Sequence, residues 1–253
     1  MTTIDATVTV DDIVSDSISA AKVLSKHGID FCCEGERTLK EACAEAGISV
    51  NRLLREISAE EQIRSEHPAD PSSMSADELT HYIEVHHHYI TENITFIKAN
   101  LNRLVRLFAE EYPEVIQIRN TFEDLTGPLM IHMQHEEFIV FPYIRQIAKT
   151  GKPVRSSMYR DVDSPIPAML ADHDKGEKYL RRLDELTHHY QAPRGGGNAF
   201  KVTYAAMREL EKDLQAHLAL ENEVLFPKAV EIESKVYEDS LNHWLSMAGS
   251  SHS

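Results

Sequence analysis

Along most of the chain apolar residues recur at spacings of three and four, the period of a helix buried on one face. Leu79, Ile83, Ile90, Ile94, Ile97, Leu101, Leu104 and Phe108 form one such stripe. It predicts a helix from Ser75 to about Glu110, opened by Ser75 as N-cap with Glu78 three residues on. Pro113 interrupts the pattern and suits the first turn of a second long helix over 114–149. Gly127-Pro128 inside that helix predicts a kink rather than an end. Gly151 to Pro165 reads as a loop, and a third long helix spans about 167–190, closed by Ala192-Pro193-Arg194-Gly195-Gly196-Gly197. A fourth covers about 199–232, and the small, polar residues beyond Trp244 read as a disordered tail. No segment alternates with period two long enough for a strand, so four long helices with short connections predict an all-α, up-down-up-down four-helix bundle.

The N-terminal part has the same period in shorter pieces. Ile18, Ala21, Val23, Leu24 and Ile29 predict a helix over 15–29, followed by the turn Asp30-Phe31-Cys32-Cys33-Glu34-Gly35. Further helices are expected over 39–46, stopped by Gly47, and over 50–64 with Leu53, Leu54, Ile57 and Ile63 inward. The Pro- and Ser-rich stretch from His67 reads as a linker. The expected division is therefore a helical module over 1–66, a linker over 67–74, the bundle over 75–234 and a tail over 235–253.

Charge narrows the partners. With 41 Asp and Glu against 26 Lys and Arg, the formal charge of -15 disfavours nucleic acid and anionic membranes. A small molecule, an ion or another protein fits better, and a homodimer is compatible with it. The start of the chain shows no basic leader followed by an apolar run, and no apolar stretch reaches the roughly 18 residues of a membrane span. The expected location is the cytoplasm. Three cysteines, Cys32, Cys33 and Cys43, fit thiols of a reducing compartment better than a disulfide framework.

The 14 histidines change the picture. His132-Met133-Gln134-His135-Glu136 and His217-Leu218-Ala219-Leu220-Glu221 each place a His four residues before a Glu, and each stretch closes on Phe-Pro at the same distance, Phe141-Pro142 and Phe226-Pro227. Residues i and i+4 share one helix face, so each copy aims an imidazole and a carboxylate at one point. Upstream, His87 precedes His132 by 45 residues and His173 precedes His217 by 44. Four imidazoles and two carboxylates exceed one tetrahedral zinc site. They suit two metals, each holding two imidazoles and sharing the carboxylates, with room for an oxo or hydroxo bridge.

Iron is the first expectation and manganese the second. A single His-x-x-x-Glu would usually be a solvated pair on a helix surface; the matched duplication argues for metal. His135 shares the inward face, but Leu220 stands at its place in the second copy, which makes His135 a neighbour or a surface residue. Within His86-His87-His88, three residues span about 200° of helix, and His87 falls in phase with Ile83, Ile90 and Ile94. His188, His189 and His243 read as surface residues. Asp174 is either a hydrogen-bonding neighbour of His173 or a solvated charge.

At these residues the sequence resembles the hemerythrin-like di-iron proteins, and specifically the repair-of-iron-centres family. The likeness covers nearly the whole chain. The family's Asp-(Phe/Tyr)-Cys-Cys-x-Gly turn is matched at Asp30 to Gly35, its His-His-x-Tyr at His86 to Tyr89, its His-Met-x-x-Glu-Glu at His132 to Glu137, its His-Asp at His173-Asp174 and its His-x-x-Leu-Glu-Asn at His217 to Asn222. Two departures stand out: Glu34 replaces the first glycine of the common Cys-Cys-Gly-Gly turn, and Tyr112 precedes Pro113 where members often carry a further histidine.

The resemblance implies a cytoplasmic stress protein that restores iron-sulfur clusters damaged by nitric oxide or oxidants, with its di-iron site as a source of iron. Damaged iron-sulfur proteins or a cluster scaffold would be its partners. Cys32 and Cys33 would then act as redox or transfer groups, since a disulfide between neighbours is strained and easily reduced. The plainer alternative is that they are small buried hydrophobes, as Cys43 on its helix is expected to be. Two other functions stay open on the same site: reversible binding of oxygen or nitric oxide, and reduction of nitric oxide to nitrous oxide.

Overall fold

The structure, a computed structural model, describes residues 8–32, 34–65, 71–152 and 165–249. The expectations for Cys33, for residues 67–70 of the linker and for 250–253 of the tail lie outside them. Among the described residues every regular element is helical, apart from an isolated antiparallel bridge between Thr9 and Thr38. None of these helices is long and apolar enough to cross a membrane. The chain packs as two compact units. One joins the residues up to 69 with 93–121 and 182–210, and the other comprises 70–92, 122–181 and 211–253.

In the first unit, α1 (Val10–Asp16) starts at a capping box: the Thr9 side chain accepts the Asp12 N–H while Asp12 reaches back to the cap. It ends at Ser17, which is extended and whose hydroxyl accepts the Ala20 N–H to open α2 (Ile18–Lys26). The helix expected over 15–29 is shorter, Ile18–Lys26, and a separate, unexpected helix α1 precedes it, the two divided where a serine satisfies an orphan donor of the second. The Thr9-x-x-Asp12 box was the signal for α1. After α3 (Leu39–Glu45), capped by Thr38 and Glu41, comes α4 (Val50–Ser65).

Val10, Leu24, Ile29, Phe31, Leu39, Cys43, Leu53 and Ile57 are buried in one core that includes Val202. Also in this unit, the Tyr112 hydroxyl donates to the Arg194 carbonyl at 3.0 Å, joining the corner before Pro113 to the Gly-rich turn.

The long helices are α5 (Ala76–Phe108), α6 (Glu114–His135), α8 (Ile166–Leu186) and α9 (Gly197–Leu220). Ser75 and Glu78 form the expected capping box on α5. The second helix passes through Pro128 without ending, then widens into a π turn over Glu136–Val140 before α7 (Phe141–Thr150). The second copy repeats this: α9, a π turn over Glu221–Leu225, then α10 (Phe226–Gly249).

Three expectations are corrected here. The helix over 114–149 is not uniformly α. The third long helix stops at Leu186, because His188, His189 and Tyr190 all turn to positive φ. The fourth does not end near 232: the chain is helical to Gly249, and much of the expected tail is α10, held by the buried face of Ala229 and Val236.

The π turns have a local cause. Pro142 and Pro227 have no N–H to give to the carbonyl four residues back, and a proline ring clashes with it in a regular α-helix. Widening the preceding turn relieves both; the Phe141 and Phe226 N–H groups then bond five residues back, to Glu136 and Glu221.

Candidate metal centre

In the second unit α5, α6, α8, α9 and the two π turns bring His87, His132, Glu136, His173, His217 and Glu221 together. None is more than 6% exposed, and both glutamates are at 0%. They form two ligand sets, His87, Glu136, His217 and Glu221 in one and His132, Glu136, His173 and Glu221 in the other; within each, the candidate donor atoms all lie within 4.8 Å of one another. Glu136 faces His87 Nε2 at 3.5 Å through one oxygen and His132 Nε2 at 3.3 Å through the other. Glu221 faces His173 Nε2 and His217 Nε2, both at 3.3 Å, and its second oxygen lies 4.0 Å from His87. Each set combines one imidazole from each sequence repeat.

The chemistry of this cluster fits divalent metal. All four carboxylate oxygens of Glu136 and Glu221, with Nε2 of His87 and His217, are buried without a hydrogen-bond partner. Buried charge left in that state costs several kcal/mol per ion unless compensated. Burial raises the Glu136 carboxyl to about 8, and Glu221 is raised too, by burial and by Glu136 beside it. Burial lowers His87 and His217 to about 3 and His132 likewise downward, keeping the imidazoles in the neutral form that binds metal. Cations held between these donors would compensate both carboxylates.

Behind the donors lies a ring of orienting groups. His87 Nδ1 meets Glu137 Oε1 at 2.9 Å, and His173 Nδ1 meets Asn222 Oδ1 at 2.8 Å. The His87 ring stacks on Phe141 at 5.8 Å and the His173 ring on Phe226 at 6.2 Å between centroids. An α-helix would turn Phe141 about 140° away from Glu136; the π turn returns it to the ligand face.

Spacing arguments alone did not single out these four residues as neighbours of the ligands, although they occupy matching places in the two repeats. Asp172, also missed, lies 3.7 Å from His132 Nδ1 and is held by Lys175 at 2.9 Å. Asp174, weighed as a neighbour of the site, is exposed, as is His88, and His135 is half-buried.

A cavity of about 180 Å³ adjoins His132 and His173. Leu125, Pro128, Leu129, Leu180, Leu214 and Leu218 line it, with Asp124, Asp172 and Lys175 also on its wall. It has room for a few water-sized molecules. Cys32 belongs to the first unit; it is half-buried, and its N–H donates to Asp30 Oδ1 at 2.7 Å. Asp30 also pairs with Arg103 of α5. Cys43 is buried.

Comparison with known proteins agrees with this geometry. Residues 6–61 match a domain of unknown function, DUF542, and residues 78–229, more than half of the chain, match the hemerythrin HHE cation binding domain. The iron-sulfur cluster repair protein ScdA of Staphylococcus epidermidis is 23% identical over 221 residues, covering 87% of this chain and 96% of that one. ScdA of Staphylococcus haemolyticus is 26% identical over 220 residues, with the same coverage. The iron-sulfur cluster repair protein YtfE of Escherichia coli is 27% identical over 213 residues, 83% of this chain and 91% of its own. With an HHE domain built around two buried carboxylates and four imidazoles, and the N-terminal module in front of it, the chain belongs to the hemerythrin HHE cation-binding family, in the repair-of-iron-centres group.

Proposed function

We propose that the chain holds two iron ions between His87, His132, His173, His217, Glu136 and Glu221, and gives up iron to restore iron-sulfur clusters damaged by nitric oxide or oxidants. The observation that carries this reading is the pair of fully buried carboxylates whose four oxygens have no hydrogen-bond partner. The names of the relatives point to the same task. Imidazole and carboxylate hold ferrous iron less firmly than the thiolates of a cluster protein, so iron runs downhill toward a damaged cluster or a scaffold. Bound iron supplies one-electron chemistry and an exchangeable ferrous ion. The protein's side chains keep the His87, His132 and His217 imidazoles neutral, orient His87 and His173 from Nδ1 and exclude bulk water. Manganese is the second choice of metal, Cys32 and Cys33 are the proposed redox or transfer groups, and the cytoplasm is the proposed location.

The test starts from protein prepared without oxygen. About two irons per chain are expected, with recovery of a nitrosylated cluster enzyme on mixing. One zinc or no metal after iron-replete expression removes the reading. So does full repair by folded Glu136→Ala and Cys32→Ser/Cys33→Ser variants.

A second reading is favoured by the apolar cavity at His132 and His173, which suits a diatomic gas. In it the site binds oxygen or nitric oxide, or reduces two nitric oxide molecules to nitrous oxide and water, using two protons and two electrons from an external reductant. Steady nitrous oxide production in the presence of that reductant is its signature, and a single stoichiometric burst speaks against turnover.

A further inference from the structure

The two ligand sets share both carboxylates, so any difference between them comes from the imidazoles and from what stands behind each Nδ1. His87 has the Glu137 carboxylate at 2.9 Å. His173 has a neutral amide, Asn222, at 2.8 Å. His132 has only Asp172 at 3.7 Å, beyond hydrogen-bond length, and that carboxylate is 43% exposed and already held by Lys175. His217 Nδ1 has no partner among the described residues. One set is thus backed by a close carboxylate and the other by an amide.

An imidazole that donates its Nδ1–H to a carboxylate gains negative character and binds metal more strongly than one that donates to an amide. A second observation points the same way. The 180 Å³ cavity is lined by His132 and His173, and neither His87 nor His217 reaches it.

We propose that Glu137 and Asn222 are positioning residues that make the two metal positions unequal: the His87/His217 position holds its metal firmly, and the His132/His173 position is the first to lose it. This rests on the two-iron reading above. The repeat makes the asymmetry visible, because Glu137 and Asn222 occupy the same place after Glu136 and Glu221. The fold accepts either side chain there, and the charge is what differs.

The experiment loads the full chain with two ferrous ions under argon and follows their capture by ferrozine. Wild type is expected to release iron in two phases of equal amplitude. Glu137→Gln, which keeps shape and removes charge, is expected to speed the slow phase about 10- to 100-fold and leave the fast one unmoved. Asn222→Asp is expected to slow the fast phase, bringing the two together, a gain that a merely structural defect does not produce. In Mössbauer spectra of the loaded diferrous protein, the two quadrupole doublets of wild type are expected to approach one another in Asn222→Asp. A single phase in wild type, an equal effect of Glu137→Gln on both phases, or an unmoved fast phase in Asn222→Asp overturns the proposal. A chain that takes up fewer than two irons defeats the two-iron reading instead.

Discussion

A glutamate at 0% exposure without a hydrogen bond is the most demanding residue in the chain. A cation held between the donors would compensate Glu136, and the cost would return on its removal. In Glu136→Gln, metal per chain is expected to fall well below wild type. The metal-free variant is expected to be more stable than metal-free wild type at pH 8 by about 1–3 kcal/mol, because a buried charge without a partner has been removed. Elemental analysis and urea titration read the two effects separately. A variant that keeps full metal content would show that Glu136 is not a ligand. Two side chains of α7 link it to other helices. Arg145 reaches Thr80 Oγ1 at 2.8 Å and Glu84 at 2.6 Å, and Tyr143 donates to the buried Glu233 at 2.5 Å. These contacts tie α7 to α5 and to α10.

At the scale of elements, each π turn joins two requirements: a helix that carries ligands and a phenylalanine that must lie flat on an imidazole. Phe141 is 0% exposed and Phe226 3%. Phe141→Ala is expected to cost about 3–5 kcal/mol, as deletion of a buried aromatic ring does, and to loosen His87; a loss below 1 kcal/mol in urea would contradict this packing. Pro142→Ala makes the opposite prediction. It restores an N–H, yet the extra residue in the turn remains, and the buried Tyr143, Ile144 and Ile147 fix the phase of α7. The turn is expected to persist, with a change in stability within about 1 kcal/mol. A large loss would show that proline, rather than packing, maintains the turn.

For the molecule as a whole, the buried titrating groups set how stability depends on pH without metal. His87 and His217 are depressed to about 3, so between pH 3 and 6.5 the unfolded chain binds protons that the folded one does not, and stability rises with pH. Glu136, raised to about 8, holds its proton in the folded state after the unfolded chain has lost it near 4.5. Its contribution is complete below 4.5 and falls as pH rises through 8.

The two trends oppose one another up to 6.5, above which the raised carboxylates of Glu136 and Glu221 set the trend. Metal-free protein is therefore expected to lose stability between pH 6.5 and 8, by about 2 kcal/mol from Glu136 alone. The metal-loaded protein should not show this loss. Thermal unfolding across pH, with and without metal, checks the sign, and parallel curves would contradict it. Metal uptake at pH 7 should also release protons, which calorimetry in buffers of different ionisation enthalpy measures.

Several features were legible in the chain before any fold was known. The stripe from Leu79 to Phe108 gives α5 because an amphipathic period is a local property. The duplicated His-x-x-x-Glu, with its matched upstream histidine, picks out the same six side chains that meet in space, because i and i+4 lie on one face whatever the tertiary context. Other features depended on tertiary structure. That His87 joins His217 and His132 joins His173, each across the repeats, follows from which helices become neighbours, and no local spacing encodes that.

The π turns are marked in the chain by a proline, but the buried faces of α7 and α10 are what hold them in phase. The break at Ser17 and the extension of α10 to Gly249 were decided by a single side-chain cap and by the burial of Val236, terms too small to read from periodicity. The unequal partners behind His87 and His173 emerged last, because a hydrogen bond between side chains 50 and 49 residues apart exists only once the helices are packed.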